Sequence, residues 1–347
     1  MAFQNDSIDY LKINFATAQI IPLSIFCLIM TVFGLFGNGI VLFSSFRYNA
    51  IRLDKVSLIF VQNLAAADIL YTLFVIFPQM ITYCAGGWVL GKVYCFINAQ
   101  LSFIPGSVNA LTVLLITTYR LRLVTNPFYR ISLFAARIAS VVTWLLGLAG
   151  TVISISYQST SSFSSTNAKC MSSIYLNLAA EKLLKLALAV IVMMPLLMIT
   201  IENVILCIFA GRSARKHNNA QSSSKYKALL MVCALSGVFI ISWVPYIIFT
   251  VIKAKNPNTP LALDLMAFHC IFINSFANPI LYSITNKRFG CFVKSFLINI
   301  FCTFCDKESS FNPHGAAIVH PTSSNDASIK QVNQRLKKDS KSTTTKM

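Results

Sequence analysis

The sequence predicts an all-α fold, a seven-transmembrane helix bundle. Three observations predict it. Hydrophobic residues make up 56% of the 347 residues and charged residues only 12%, with mean hydropathy +0.66. A soluble domain carries about 25% charged residues, so this chain cannot cover its surface with polar groups. Seven apolar stretches each reach the roughly 20 residues that a helix needs to cross the hydrocarbon core. Basic residues gather in particular loops and in the C-terminal tail, which is a pattern of membrane topology.

The stretches are Ile20–Phe46, Ser57–Tyr83, Cys95–Tyr119, Phe134–Tyr157, Leu183–Ala210, Ala228–Ile252 and Leu261–Ile284. Each must be helical, because lipid offers no partner to a free backbone N–H or C=O. Span one contains Asn38, span two Asp68 and span three Asn109, with Arg120 at its end. Span four holds Trp144, span five Pro195 and Glu202, and span six Pro245. Span seven is rich in polar groups: Asn274, Ser275 and Asn278, then Pro279. The domain reading is residues 1–19 as an N-terminal segment, 20–284 as the bundle and 301–347 as a tail, with 285–300 between bundle and tail. Runs such as SSNDAS and KDSKSTTTK cannot bury a core, so the tail is expected to be disordered.

Formal net charge is +18, from 29 Lys+Arg against 11 Asp+Glu. The loop after span one has Arg47, Arg52 and Lys55. The loop after span three has Arg122, Arg130 and Arg137, and the loop after span five Arg212, Arg215, Lys216, Lys225 and Lys227. The opposite side has Lys12, Lys92, Lys169, Lys253 and Lys255, with Lys182 and Lys185 near span five. The positive-inside rule then puts the N-terminus outside the cell and the tail in the cytoplasm of a multi-pass plasma-membrane protein. No basic segment and cleavage site precede span one, which is expected to serve as the signal itself. Asn5-Asp6-Ser7 is a glycosylation sequon on the expected outer side. Ten cysteines lie without CxxC spacing, which gives no support to a zinc site. Cys95 and Cys170 fall on the oxidising side, where a disulfide is chemically permitted. With no nucleophile–base pair or metal-ligand set, an enzyme is not expected, and nothing points to nucleic acid.

The embedded polar and proline positions resemble the rhodopsin-like (class A) G-protein-coupled receptors, span by span. The matching residues are Gly37-Asn38, Leu64-Ala65-Ala66-Ala67-Asp68 for LAxxD, Trp88, Cys95, Trp144 and Pro195. Phe239, Trp243 and Pro245 fit FxxxWxP, and Asn278-Pro279-Ile280-Leu281-Tyr282 fits NPxxY. Asn286-Lys287-Arg288-Phe289 looks like the start of the family's short amphipathic eighth helix, which the resemblance implies over residues 285–300. The resemblance covers about residues 20–297.

It implies a sodium site at Asp68 with Asn109, Asn274, Ser275 and Asn278, sodium acting as an allosteric ion and no cofactor being required. The residues alone equally allow a polar network around a protonated Asp68. It implies an activation switch of Arg120, Phe239, Trp243, Pro245, Asn278, Pro279 and Tyr282. It implies a disulfide between Cys95 and Cys170, and palmitoylation of Cys302 and Cys305, which could also be free cytosolic thiols. Arg120 stands in Tyr119-Arg120-Leu121, where the family has an acidic residue before the Arg and a Tyr after it. The second acidic restraint of the family is Lys225 here. A looser inactive state with raised basal signalling is the expectation. Glu202 either replaces the lost partner of Arg120 or faces the lipid headgroups. Asn203 takes the place of the family's span-five Tyr.

The family's ligands bind between spans three, five, six and seven. The matched positions are Ser102, Phe103, Gly106, Ser107, Tyr246, Thr250, Phe268 and Phe272, with Gln79 and Tyr83 from span two. Amine receptors anchor the ammonium on an Asp where this chain has Ser102, so a biogenic amine is not expected. Phe272 replaces the retinal-binding Lys of the opsins. A peptide or another small molecule remains open. The implied partners are an extracellular ligand, a heterotrimeric G protein, an arrestin-like protein and membrane lipid. The competing readings are a transporter or channel using Asp68, and a decoy receptor that does not couple to G protein.

Overall fold

The computed structural model describes residues 13, 17–47, 53–126, 128–164, 168–174, 178–216, 220–256 and 259–309. Among these, seven helical spans are long and apolar enough to cross a membrane. Span one is α1 (Thr17–Arg47). Span two is α2 (Lys55–Tyr71), a π-helical turn at Thr72–Ile76, and α3 (Phe77–Cys84). Span three is α4 (Gly91–Leu101) and α5 (Phe103–Thr125). Spans four to seven are α6 (Leu133–Tyr157), α7 (Leu178–Lys216), α8 (Ala220–Lys255) and α9 (Leu261–Thr285). A further helix, α10 (Lys287–Ser309), follows and runs past the boundary at 300 that composition indicated. Several helices outrun their apolar stretches, α7 and α8 most of all. Hydropathy marks only the part of a helix in lipid, whereas its hydrogen-bond ladder continues into water.

Between α6 and α7 lies an antiparallel hairpin of β1 (Gln158–Ser164) and β2 (Lys169–Ile174), in which Phe163 faces Cys170. Sequence reading gave this loop no structure, since its Ser-rich strands have no alternating apolar face.

Interior and exterior are arranged as lipid requires. Phe36, Phe46, Phe134, Ile241 and Ile284 are exposed, while Asn38, Asp68, Asn109, Asn274, Ser275 and Asn278 are buried. Lipid tails are as apolar as Leu, so helix association rests on close contact and interhelical hydrogen bonds. Span three is the hub, with α5 touching α2, α6, α7 and α8. One buried cluster, near the Arg120 end, includes Phe60, Leu64, Ile116, Tyr119, Leu235, Tyr282 and Phe289. The other, towards the hairpin end, includes Tyr71, Ile76, Tyr83, Ile271 and Phe272. Along α2 and α9, Asp68, Ser275 and Asn278 fall between these clusters. Gly37 allows α1 to approach α9, since a Cβ there would sit 2.8 Å from Pro279 Cγ.

Prolines explain two cross-helix bonds. A proline at position i leaves the carbonyl at i−4 without its backbone donor, and in lipid another donor must be found. Pro279 frees Ser275 O, which accepts from Asn38 Nδ2 at 2.7 Å. Pro78 frees Phe74 O inside the π-helical turn, and Asn98 of α4 donates its side-chain amide to it. Pro105 frees Leu101 O, and span three breaks there, between α4 and α5. At the end of α9, Asn286 is extended and its Oδ1 accepts from Phe289 N at 3.3 Å, starting α10 with Phe289 buried.

Candidate functional site

A cavity of about 770 Å³ opens among the spans at the hairpin end. Its lining includes Gln79, Ser102, Phe103, Gly106, Ser107, Tyr246 and Phe268. Three further positions named from sequence lie off it. Phe272 is fully buried against the Phe268 ring at 5.0 Å between centroids. Tyr83 is buried, its ring tilted against that of His269 at 5.6 Å between centroids. Thr250 is exposed, its hydroxyl donating to Tyr246 O at 2.7 Å. Thr250 lies one turn beyond Tyr246, past Ile247, the last α8 residue to line the cavity. Lys169, Asn98, Tyr71 and Ile271 also line the cavity and were not singled out. Phe239 and Trp243 close its deep end, with ring centroids 5.7 Å apart.

The Cys95–Cys170 disulfide ties β2 to α4, with Cα atoms 5.4 Å apart. Gln79 Nε2 donates to Ala168 O at 2.7 Å, fixing the start of the same strand. The bond closes a loop across 75 positions, for which chain entropy gives about 4 kcal/mol. Cys170→Ser should therefore lower the melting temperature of the chain in nanodiscs and release the hairpin to proteolysis. Unchanged melting and unchanged cleavage would show that the hairpin is held by other contacts.

Trp243, Tyr71, Gly106 and Ile271 also border a small cavity of about 10 Å³ that reaches Asn109, Asn274 and Ser275. Beside it, Asp68 is fully buried. Asn109 Nδ2 donates to Asp68 Oδ1 at 2.6 Å and Asn278 Nδ2 to Asp68 Oδ2 at 2.7 Å. Asn274 Nδ2 donates to Asn109 Oδ1 at 3.3 Å. Spans two, three and seven thus meet at one carboxylate. The Oδ1 atoms of Asn38, Asn274 and Asn278 are buried without a hydrogen-bond partner. Unpaired oxygens around a carboxylate fit a hard cation, which takes oxygen ligands, so the residues here suit the implied sodium.

At the other end of span three, Arg120 Nη2 donates to Asp54 Oδ2 at 3.2 Å and to Ser57 Oγ at 3.0 Å. Asp54 is also the N-cap of α2, accepting from Ser57 N at 2.9 Å and Ser57 Oγ at 2.8 Å. Tyr119 adds its hydroxyl at 3.1 Å. Burial pushes the Asp54 carboxyl up, but the Ser57 backbone N–H, the Arg120 guanidinium and the two hydroxyls outweigh it and hold the group below the usual carboxylate range.

The sequence profile described as "7 transmembrane receptor (rhodopsin family)" matches residues 37–282. The chain belongs to this family. The receptor is 28% identical over 253 residues to the histamine H2 receptor of Canis lupus familiaris, covering 69% of each chain. Its identity to the histamine H2 receptor of Cavia porcellus is 26% over 285 residues, covering 77% of this chain and 75% of that one. With the histamine H2 receptor of Homo sapiens it is 26% over 254 residues and 69% of each.

Two expectations about the receptor's switch need correction. Arg120 is not left without an acidic partner: although the family's two acidic positions are not acidic here, it pairs with Asp54, at the foot of span two. Glu202 does not pair with Arg120 but accepts from Thr117 Oγ1 at 2.6 Å and Thr118 Oγ1 at 2.7 Å. Asn203, in the place of the family's Tyr, accepts from Ser236 Oγ at 2.8 Å and so joins spans five and six. Tyr282 is buried with its hydroxyl unpaired. Asn63 was overlooked in the sequence: its Oδ1 accepts from Trp144 Nε1 at 2.8 Å and its Nδ2 donates to Thr112 Oγ1 at 2.7 Å, tying spans two, three and four. An Asn in an apolar stretch was the available signal. Asn5 lies outside the described residues, as do the side chains of Cys302 and Cys305.

Proposed function

We propose that this receptor binds an extracellular ligand in the cavity beneath the β1–β2 hairpin and passes the signal to a heterotrimeric G protein at the Arg120 end. The hairpin end then faces outward and the tail lies in the cytoplasm. The observation that carries this reading is continuity. Trp243 walls both the ligand cavity and the small polar cavity beside Asp68, and span three runs from there to Arg120.

The mechanism follows from these contacts. A ligand pressing on Trp243 changes the packing of α8 against α5 and α9. Pro245 removes one backbone bond just above Trp243, so α8 can bend there at low cost. Asp68, Asn109, Asn274, Ser275 and Asn278 would hold sodium, which favours the arrangement in which spans two, three and seven converge. Separation of those spans would pull Asn278 and Asn109 from the carboxylate and move Tyr282. Release of Arg120 from Asp54 would then open the G-protein side. Basic inner loops suit contact with that partner and with anionic lipid.

The ligand is proposed not to be a biogenic amine, although the relatives named above are histamine receptors. Ser102 offers a hydroxyl, and no Asp or Glu lines the cavity among the described residues. The test is a panel of amines, peptides and organic acids on cells expressing the full chain with a promiscuous G-protein reporter. A response to histamine at micromolar concentration would overturn the amine exclusion. Nucleotide exchange with no member of any class, in cells that nevertheless internalise the chain on ligand addition, would favour the decoy reading instead.

A further inference from the structure

The first residue of β2 brings a positive charge into the cavity. Lys169 is flanked by two fixed points: Cys170, held by its disulfide, and Ala168, held by Gln79. Ala168 is fully buried with φ 51°, a left-handed turn that aims the strand back over the bundle. The Lys169 ammonium sits 4.4 Å from the centroid of Phe268 and 6.0 Å from that of Tyr246. Aromatic faces attract a cation but leave its N–H donors without an acceptor.

The surroundings are electrostatically one-sided. Among the described residues, the carboxylate that bears on Lys169, that of Asp264, is engaged by Lys253 at 2.5 Å. Two ammonium groups against one carboxylate leave one positive charge at the mouth, among the described residues. Burial pushes the Lys169 ammonium below the usual lysine range, and Lys253 adds to this against the opposing pull of Asp264. The cavity's other polar groups are largely committed. Ser102 Oγ donates to Ala99 O at 3.0 Å, Ser107 Oγ to Phe103 O at 2.8 Å, and the amides of Gln79 and Asn98 donate to backbone carbonyls. The Lys169 ammonium is thus the strongest donor left to a ligand, since charged donors form the tighter bonds. The rest of the wall is mainly apolar, with Val75, Leu111, Leu146 and Ile153 among it.

We propose that Lys169 anchors a single carboxylate of the ligand, and that the ligand is an amphipathic organic acid: one anionic group at the hairpin end and an apolar body reaching towards Trp243. This rests on the cavity being the receptor's ligand site, as proposed above.

The test uses the full chain in nanodiscs and two probes of nearly the same shape, the anionic 4-biphenylacetic acid and its neutral primary amide. Binding is followed as the shift in melting temperature with probe concentration. The acid should bind more tightly than the amide to the natural chain. Lys169→Gln should weaken the acid about tenfold, as for loss of one charged hydrogen bond, and leave the amide unchanged. Lys169→Arg should retain the preference, and its unliganded melting temperature controls for folding. Equal binding of acid and amide to the natural chain overturns the proposal. So does an acid preference that survives in Lys169→Gln, which would assign it to another cation. No G protein is present in this measurement. Failure of the carboxylate anchor is thereby separated from failure of the signalling role, which nucleotide exchange reports.

Discussion

Asp54→Asn should raise ligand-independent signalling about fivefold at matched surface density. In the structure Arg120 is held by Asp54 and Ser57, both at the start of α2. The pair is half open to solvent, with side-chain exposures of 13% for Arg120 and 39% for Asp54, so its worth is nearer that of a surface bridge than of a buried one. About 1 kcal/mol of lost restraint is a reasonable magnitude, and that changes a two-state ratio by roughly fivefold. Asn is as good an N-cap as Asp, so the substitution removes the charge while α2 keeps its start. Ser57→Ala should act in the same direction more weakly. Glu202→Gln should not act in this way, because Glu202 is bound to Thr117 and Thr118 rather than to Arg120. Second-messenger levels plotted against surface receptor number check all three. Basal output of Asp54→Asn lying on the natural chain's line would remove Asp54 from the switch. The pair should also tolerate mild acid. The folded pKa of Asp54 is depressed, so its stabilising contribution is complete above the ordinary carboxylate value and fades only as pH falls through the lower folded one. In nanodiscs, where both faces meet the buffer, a shift from pH 7.4 to pH 6 should leave basal nucleotide exchange unaltered by this group.

The network also shows where sequence reading reached its limit. Asp68, Asn109, Asn274 and Asn278 were legible because a polar group inside an apolar stretch is costly and must have a partner. The structure brings them together. The same cost makes Pro279 and Asn38 intelligible as one bond. Asp54 was not legible for the opposite reason. It lies in a loop where a charged residue costs nothing, and its spacing to Ser57 reads only as a helix cap. Nothing local told that the foot of span two would stand beside the end of span three. Lys169 was hidden in a similar way. As a loop lysine it looked like one of several at the membrane surface, and only the fold of β1 on β2, with the tie to Cys95, turns it over Phe268. Asn98 could have been found. Pro78 leaves a carbonyl in span two without a donor, and an Asn near the top of span three was available to fill it. Thr250 and Phe272 come from matched family positions, which say nothing of how far the cavity reaches along α8 or of Phe272 turning against Phe268.

Asp68→Leu is expected to be among the most damaging single changes, and Asp68→Asn a mild one that abolishes any response to sodium. Leu at 68 would leave Asn109 Nδ2 and Asn278 Nδ2 without their acceptor in a buried site. Each orphaned donor costs about 1–3 kcal/mol, so the two together approach the few kcal/mol at which a membrane protein ceases to reach the surface. Asn at 68 keeps one oxygen for these donors and nearly the same shape, but it has no charge to offer an ion. The natural chain should therefore melt higher in sodium chloride than in choline chloride at equal ionic strength. Saturation of a site a hundredfold above its Kd would contribute about 2.7 kcal/mol. The unpaired oxygens of Asn274 and Asn278 are the reason to expect an ion rather than a neutral network, since a buried acceptor without a donor is costly unless something positive reaches it. Asp68→Asn should give the same melting temperature in both salts. If the natural chain already melts identically in the two, Asp68 is neutral and held by its amides alone. The convergence of spans two, three and seven would then be a matter of hydrogen bonding, with no part played by sodium.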